Sequence, residues 1–160
     1  MNGIDRGVPA GQDRPAVLLR PLTEADRETV TELEGRVFPE DPWPPSMVGE
    51  ELRAPLRHYV GAVEGGATVG YAGVRLGPDA DVMTIGVVEP ARGRGIGRAL
   101  IEDLLGAARA AGSERVFLEV RASNEAAIGL YLSVGFHRIG RVRRYFRHPT
   151  EDAVTMRLDL

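Results

Sequence analysis

The sequence predicts an α/β domain: a central twisted mixed sheet of about seven strands flanked by about four helices. Three observations carry that expectation. Beyond Pro55 the apolar residues recur at period two through His58–Val63, Thr68–Leu76 and Asp81–Val88, as half-buried strands require. From Gly97 to Ala111 the period becomes helical, with Ile96, Leu100, Leu104, Ala107 and Ala111 on one face and Ile101 and Leu105 widening it. The whole order reads β-α-α-β-β-β-α-β-α-β-β without internal repeat. Its strand–loop–helix–strand unit, Met83 to Val120, is expected to be a right-handed parallel crossover. The start of that helix then lies at the carboxyl end of the strands, where open α/β sheets bind ligands.

The elements follow in order. Residues 1–15 are rich in Gly, Pro and Asp without periodicity and read as a disordered leader; residues 16–160 form the single domain. Val17–Arg20 is a short strand. Thr23 caps a first helix, with Asp26 completing a variant capping box and Leu33 and Val37 on its apolar side. Phe38–Pro45 holds four prolines, so it is a rigid loop, and a second helix runs from about Met47 to Arg53. Glu64-Gly65-Gly66 turns the first hairpin and Gly77-Pro78-Asp79 the next connection. Gly112 ends the long helix, Arg115–Arg121 is a strand, and Ser123 caps a helix that Gly135 closes. Two strands, about Phe136–Tyr145 and Ala153–Asp159, complete the chain.

Composition narrows the chemistry. The net charge of −3 argues against a general nucleic-acid binder, so no direct DNA binding is expected. The absence of cysteine removes disulfides, thiolate metal sites and a catalytic thiol. All twenty basic residues are arginine, which removes lysine Schiff-base and lysine general-base mechanisms. No stretch approaches the ~20 apolar residues of a membrane span and no signal core is present, so a cytoplasmic location is expected. His58, His137 and His148 lack metal-ligand spacing.

The most informative stretch is Arg92-Gly93-Arg94-Gly95-Ile96-Gly97-Arg98, between a strand and the long helix. A helix opening in a glycine-rich turn gathers unpaired N–H groups and a positive dipole end, which suits phosphate. A Walker loop needs Gly-Lys-Ser/Thr, and no lysine exists here. A dinucleotide fingerprint needs a third glycine, but Arg98 or Leu100 stands in its place. What remains is R-x-x-G-x-G on Arg92, Gly95 and Gly97. Further along come Leu118-Glu119-Val120-Arg121-Ala122-Ser123-Asn124, Ala126-Ala127-Ile128, Leu130-Tyr131 and Gly135-Phe136, with Arg143, Tyr145, Glu151-Asp152-Ala153 and Met156 beyond.

In these motifs and their spacing the chain resembles the GNAT family of acetyl-CoA-dependent N-acetyltransferases, and in particular its ribosomal-protein-alanine type. The resemblance runs from about Val17 to Leu160 and is dense from Thr84 onward. It implies a GNAT-like fold, acetyl-CoA as co-substrate and no metal. The acceptor it implies is an N-terminal peptide, the alanine α-amine of small ribosomal subunit protein eighteen. Gly93, Arg94, Gly95, Ile96, Gly97 and Arg98 would hold the pyrophosphate, with Arg92, Arg94 and Arg98 adding charge or facing solvent. Ile85, Gly86 and Val87 would offer main-chain groups to the pantetheine and acetyl carbonyl, and Asn124 would touch the cofactor.

Acetyl transfer needs a neutral amine, a stabilised oxyanion and a protonated leaving thiolate. Glu119 shares a strand face with Phe117 among apolar neighbours, where partial desolvation raises a carboxyl pKa toward that of a useful base. On pattern alone it could equally be a solvent-facing charge; the resemblance makes it the general base. Asn124, Ala127 and Tyr131 share one helix face. Tyr131 could be a core tyrosine, and the resemblance makes it the general acid.

The Phe38–Pro45 loop around Trp43 and the strand carrying Arg143, Tyr145 and Phe146 would line the acceptor side. The loop is longer and richer in proline than its counterpart in the ribosomal-protein enzymes, and Phe146 replaces a tyrosine. Arg138, Arg141, Arg143, Arg144 and Arg147 read as a solvated strand edge or as a contact to an acidic partner or ribosomal RNA. Two other functions stay open: the same chemistry on a small amine, a lysine or other protein N-termini, and a non-catalytic acetyl-CoA-binding module.

Overall fold

The computed structural model describes residues 15–160, so the expected leader, apart from Pro15, lies outside the described residues. The strands are β1 (Val17–Pro21), β2 (Arg57–Glu64), β3 (Ala67–Arg75), β4 (Asp79–Val87), β5 (Arg115–Arg121), β6 (His137–Phe146) and β7 (Glu151–Asp159). The helices are α1 (Arg27–Val37), α2 (Pro45–Arg53), α3 (Ile96–Ala110) and α4 (Glu125–Ser133). The strands form one mixed sheet in the order β1-β2-β3-β4-β5-β7-β6. β1 to β4 are an antiparallel meander, and β5, β7 and β6 are antiparallel as well. Only β4 and β5 run parallel, joined through α3 as the crossover expectation required.

Local chemistry explains most boundaries. Asp26 accepts from the Thr23 N–H at 2.8 Å, closing the expected capping box, but the first turn is 3₁₀ and the α-helix begins at Arg27. Pro45 opens α2 as its first residue, two positions earlier than the periodicity indicates, because its fixed φ suits a helix start. Gly65 and Gly66 both have positive φ, 57° and 81°, as a tight hairpin turn between right-twisted strands demands. One expected cap differs. The Asn124 side chain, not Ser123, accepts from the Ala127 N–H at 3.1 Å, while the Ser123 N–H is held by Glu151.

The two faces of the sheet carry different helices. On β3 a Cβ on Gly70 would lie 3.4 Å from Leu100 Cδ1 of α3, whereas the next residue, Tyr71, reaches Glu34 of α1. Successive strand residues point to opposite faces, so α1 and α3 cover opposite sides. α3 buries Ile96, Leu100, Ile101, Leu104, Leu105 and Ala108. Ala111, expected on that stripe, is exposed and Ala107 is only half-buried; Ala108 takes the inward position instead. Gly86 admits α1 to the sheet, since a Cβ there would stand 2.4 Å from Val37 Cγ1.

Candidate active site

The parallel pairing of β4 and β5 is short. It joins Asp79, Ala80 and Asp81 to Arg115, Val116 and Phe117, and stops. From Val82 and Leu118 onward the strands part, and a cleft of about 650 Å³ opens between them. Its walls are Val82–Ile85 of β4, Leu118–Arg121 of β5, Asn124, Ala127 and Tyr131 of α4, and the loop from Phe38 to Pro44. The sheet therefore exposes strand main chain where it splits, a place where polar backbone can meet a ligand without disrupting the core.

The start of α3 follows the end of β4, and of the expected cofactor residues on this stretch only Ile85 lines the cleft; Gly86, Val87 and residues 92–98 lie outside its lining. Gly95 is the residue before the helix and adopts φ 82°, a left-handed conformation that favours glycine; Gly93 does likewise at 74°. The first intrahelical bond runs from the Ala99 N–H to the Gly95 carbonyl, which leaves the Ile96, Gly97 and Arg98 N–H groups without helical acceptors. Gly97 has ordinary φ. A Cβ on it would meet Leu130 of α4 at 3.3 Å, so this glycine also permits α3 and α4 to pack. The three arginines are engaged with protein. Arg92 Nε donates to the Val87 carbonyl at 3.0 Å, tying the loop to the end of β4. Arg94 pairs with Glu64, and Arg98 reaches Ser133 Oγ at 2.6 Å and Glu102 at 3.6 Å.

Glu119 and Tyr131 both face the cleft. Glu119 is solvent-accessible at the residue level, yet partial burial of its carboxyl, helped by the negative charge of Asp81, raises its pKa. Tyr131 is 5% exposed, packs edge-on against Phe136 at 5.9 Å, and has its pKa pushed up by burial. Its hydroxyl has no hydrogen-bond partner among the described residues, and no buried polar side-chain atom is left unsatisfied, so that hydroxyl opens to the cleft. Asn124 spends its side-chain oxygen on the helix cap and keeps its amide N–H groups at the cleft wall.

Trp43 is half-buried in the cleft wall, as expected of the loop. Arg143 and Tyr145 do not line the cleft; Phe146 and His148 do. Tyr145, 51% exposed, stacks edge-on with Phe146 at 5.0 Å, and its pKa is raised by partial burial and then by the charges of Glu119 and Asp81. Arg121 holds this wall in place. Its guanidinium lies 4.6 Å from the Phe146 ring centroid and donates to the carbonyls of Pro149 and Arg147 at 2.9 and 3.1 Å.

Sequence reasoning missed Glu34. It is 1% exposed, lines the cleft, and accepts from the Trp43 N–H at 2.8 Å and from the Tyr71 hydroxyl. The signal was present: Val30, Glu34 and Val37 fall at helical spacing on one face, which puts the carboxylate inward. Burial, opposed by the Trp43 N–H and aided by Asp41, lifts its pKa from 4.5 to about 7. The folded state thus keeps a proton that the unfolded chain releases, so stability falls as pH rises between those two values. Urea titrations across that window are expected to show this slope in the wild type and to lose it in Glu34→Gln.

The geometry is that of an open cleft with a carboxylate and a phenol where a strand pair splits. The acetyltransferase (GNAT) family model matches residues 26–136, and the chain belongs to that family and is an N-acetyltransferase. It is 49% identical over 153 residues to the N-alpha-acetyltransferase RimI of Mycobacterium tuberculosis, covering 92% of this chain and 95% of the relative. The [ribosomal protein bS18]-alanine N-acetyltransferase of Escherichia coli is 41% identical over 86 residues, 51% of this chain and 57% of that protein. The crystal structure of the E. coli ribosomal-protein-S18-alanine N-acetyltransferase superposes with TM-score 0.82 at 28% identity, covering 89% and 93% of the two chains. The fold is shared as well with Arabidopsis thaliana NAA60 in complex with acetyl-CoA, at TM-score 0.81 and 20% identity over 90% of this chain and 98% of that one.

Proposed function

We propose that the protein transfers acetyl directly from acetyl-CoA to the α-amine of the N-terminal alanine of ribosomal protein bS18, in the cytoplasm. The observation that carries the chemistry is the convergence of Glu119 and Tyr131 on the cleft formed where β4 and β5 separate. The acceptor rests on the relatives named for that alanine. In this reaction the Gly93–Arg98 turn holds the pyrophosphate, while the main chain of Ile85, Gly86 and Val87 and the Asn124 amide hold the pantetheine arm and orient the acetyl carbonyl. Glu119 is the general base toward the amine. Tyr131, kept protonated by burial, donates to the departing sulfur. The peptide enters past Trp43, Phe146 and the Tyr145 rim.

A second acceptor reading has its own observation: the relative matched over nearly the whole chain is named for α-amine acetylation without a specified protein. Other protein N-termini would then share the site. Mass spectrometry of protein N-termini from cells with and without this gene separates the two. Acetyl on bS18 that depends on the gene supports the first reading. Unmodified bS18 in both, with other termini changing, supports the second.

Gly95 gives an independent check on the cofactor loop. A methyl group there has space within the protein, with nothing within 4 Å, but it forces a left-handed alanine at ~1–2 kcal/mol and intrudes where the pyrophosphate approaches. Gly95→Ala is expected to raise the KM for acetyl-CoA at least ~tenfold, the equivalent of ~1.4 kcal/mol. The peptide KM is expected to stay unchanged. An unaltered acetyl-CoA KM in a folded variant removes this loop from the site.

A further inference from the structure

Thr84 lies on the cleft wall, on β4, just beyond the point where that strand leaves β5. Its hydroxyl donates to Tyr71 Oη at 3.4 Å, and Tyr71 donates to Glu34 Oε1. Both hydroxyl protons therefore point from the cleft toward a buried carboxylate. Tyr71 is fully buried and Glu34 nearly so, which leaves Thr84, half-buried on the cleft wall, as the accessible end of the chain. A structural bridge alone does not require an acid here. Glutamine could accept from the Trp43 N–H and donate to Tyr71, which would turn its own hydroxyl to Thr84, without the cost of burying a charge.

The acceptor nitrogen gives up two protons on the way from ammonium to amide, one before attack and one as the C–N bond forms. Glu119 provides for one of them. We propose that Thr84, Tyr71 and Glu34 form a proton relay that takes the first proton from the acceptor ammonium. This presupposes the acetyl transfer proposed above.

The transfer balances. The ammonium N–H breaks and its proton bonds to Thr84 Oγ1; the Thr84 proton passes to Tyr71 Oη, and the Tyr71 proton to Glu34 Oε1. The nitrogen keeps the electron pair that attacks the thioester, and a buried negative charge is neutralised as the ammonium loses its positive one. Glu119 takes the second proton, and Glu34 returns its own to solvent by the same route once product has left. The titratable and charged groups facing Glu34 are Asp41 on the loop, Tyr71 on β3 and Tyr59 on β2, the last hydrogen-bonded to Glu51 of α2 at 2.7 Å. Burial above all, opposed by the Trp43 N–H and aided by Asp41, leaves Glu34 at about 7, within roughly one unit of an α-amine near ~7.8, so the hop is close to thermoneutral.

The test is kcat on an alanine-terminated peptide at about pH 7 and about pH 9, where ~95% of the α-amine is already neutral. Thr84→Val and Tyr71→Phe remove one hydroxyl each at nearly constant volume, and Glu34→Gln removes the acid. Each is expected to lower kcat about fivefold to sevenfold at the lower pH, where only ~14% of the α-amine is neutral, and to lie within about twofold of wild type at the higher pH. The Thr84→Val, Glu34→Gln double variant is expected to lose no more than either single variant, because a relay cut once is cut. Glu119→Gln, which withdraws the acceptor for the other proton, keeps its loss at both pH values. An equal loss at both pH values in the relay variants, additive losses, or full activity at the lower pH overturns the relay. With Glu119→Gln still impaired, those outcomes leave the acetyl transfer standing; a wild-type protein inactive on the peptide fails the transfer itself.

Discussion

Tyr131→Phe and Glu119→Gln are each expected to lower kcat by ~10²–10⁴ at neutral pH while leaving the KM for acetyl-CoA nearly unchanged. Phenylalanine keeps the edge-on packing against Phe136 and loses only a hydroxyl that no protein group uses among the described residues. The fold therefore has little reason to respond, and a fall in turnover reports chemistry. Burial makes Tyr131 a weaker acid, but the same desolvation raises the pKa of the departing thiol from ~8.5, so donor and acceptor shift together. Glu119→Gln is isosteric at an accessible position, and it removes the one cleft carboxylate on β5. Steady-state kinetics on purified, folded variants checks both. Near-wild-type turnover in either variant takes that residue out of the acid–base pair.

The elements that frame the cleft were largely legible in the sequence. The period-two runs, the α3 stripe and the glycine turn yield the element order and the parallel β4–α3–β5 unit, because burial on one face imposes periodicity. Asn124, Ala127 and Tyr131 do share a wall, as i, i+3 and i+7 spacing requires. The split of β4 from β5 was not legible. Both strands stay largely apolar past Asp81 and Phe117, and nothing in residue type marks the register shift that β4 makes against β3 between Val82 and Thr84, where the split begins. Nor was the orientation of the loop after α1. Its anchor is a hydrogen bond from the Trp43 backbone to Glu34, nine residues away, which leaves no mark on the residue type at Trp43. The inward members of β6 could not be sorted from sequence either: that edge strand is exposed almost throughout, so alternation carries no burial signal, and Phe146 at its end and His148 just beyond it, rather than Arg143, reach the cleft.

The second large effect concerns the acceptor. A peptide α-amine near ~7.8 is roughly one third neutral at about pH 7.5, whereas a lysine side chain near ~10.4 is ~0.1% neutral, an extra demand on the order of 3.5 kcal/mol. One exposed carboxylate with a raised pKa on β5 and no lysine or cysteine anywhere in the chain fit the lesser demand. Trp43→Ala is expected to raise the peptide KM ~tenfold, as loss of an aromatic anchor does, with the acetyl-CoA KM unaffected. The most direct measurement is a side-by-side assay, read by mass spectrometry, with acetyl-CoA and three acceptors. These are a peptide copying the alanine terminus of bS18, the same peptide with a blocked N-terminus and a free lysine, and a free polyamine. Acetyl on the α-amine of the first peptide, at a rate at least ~10²-fold above the other two, is the predicted result. Faster acetylation of the blocked peptide or the polyamine contradicts it.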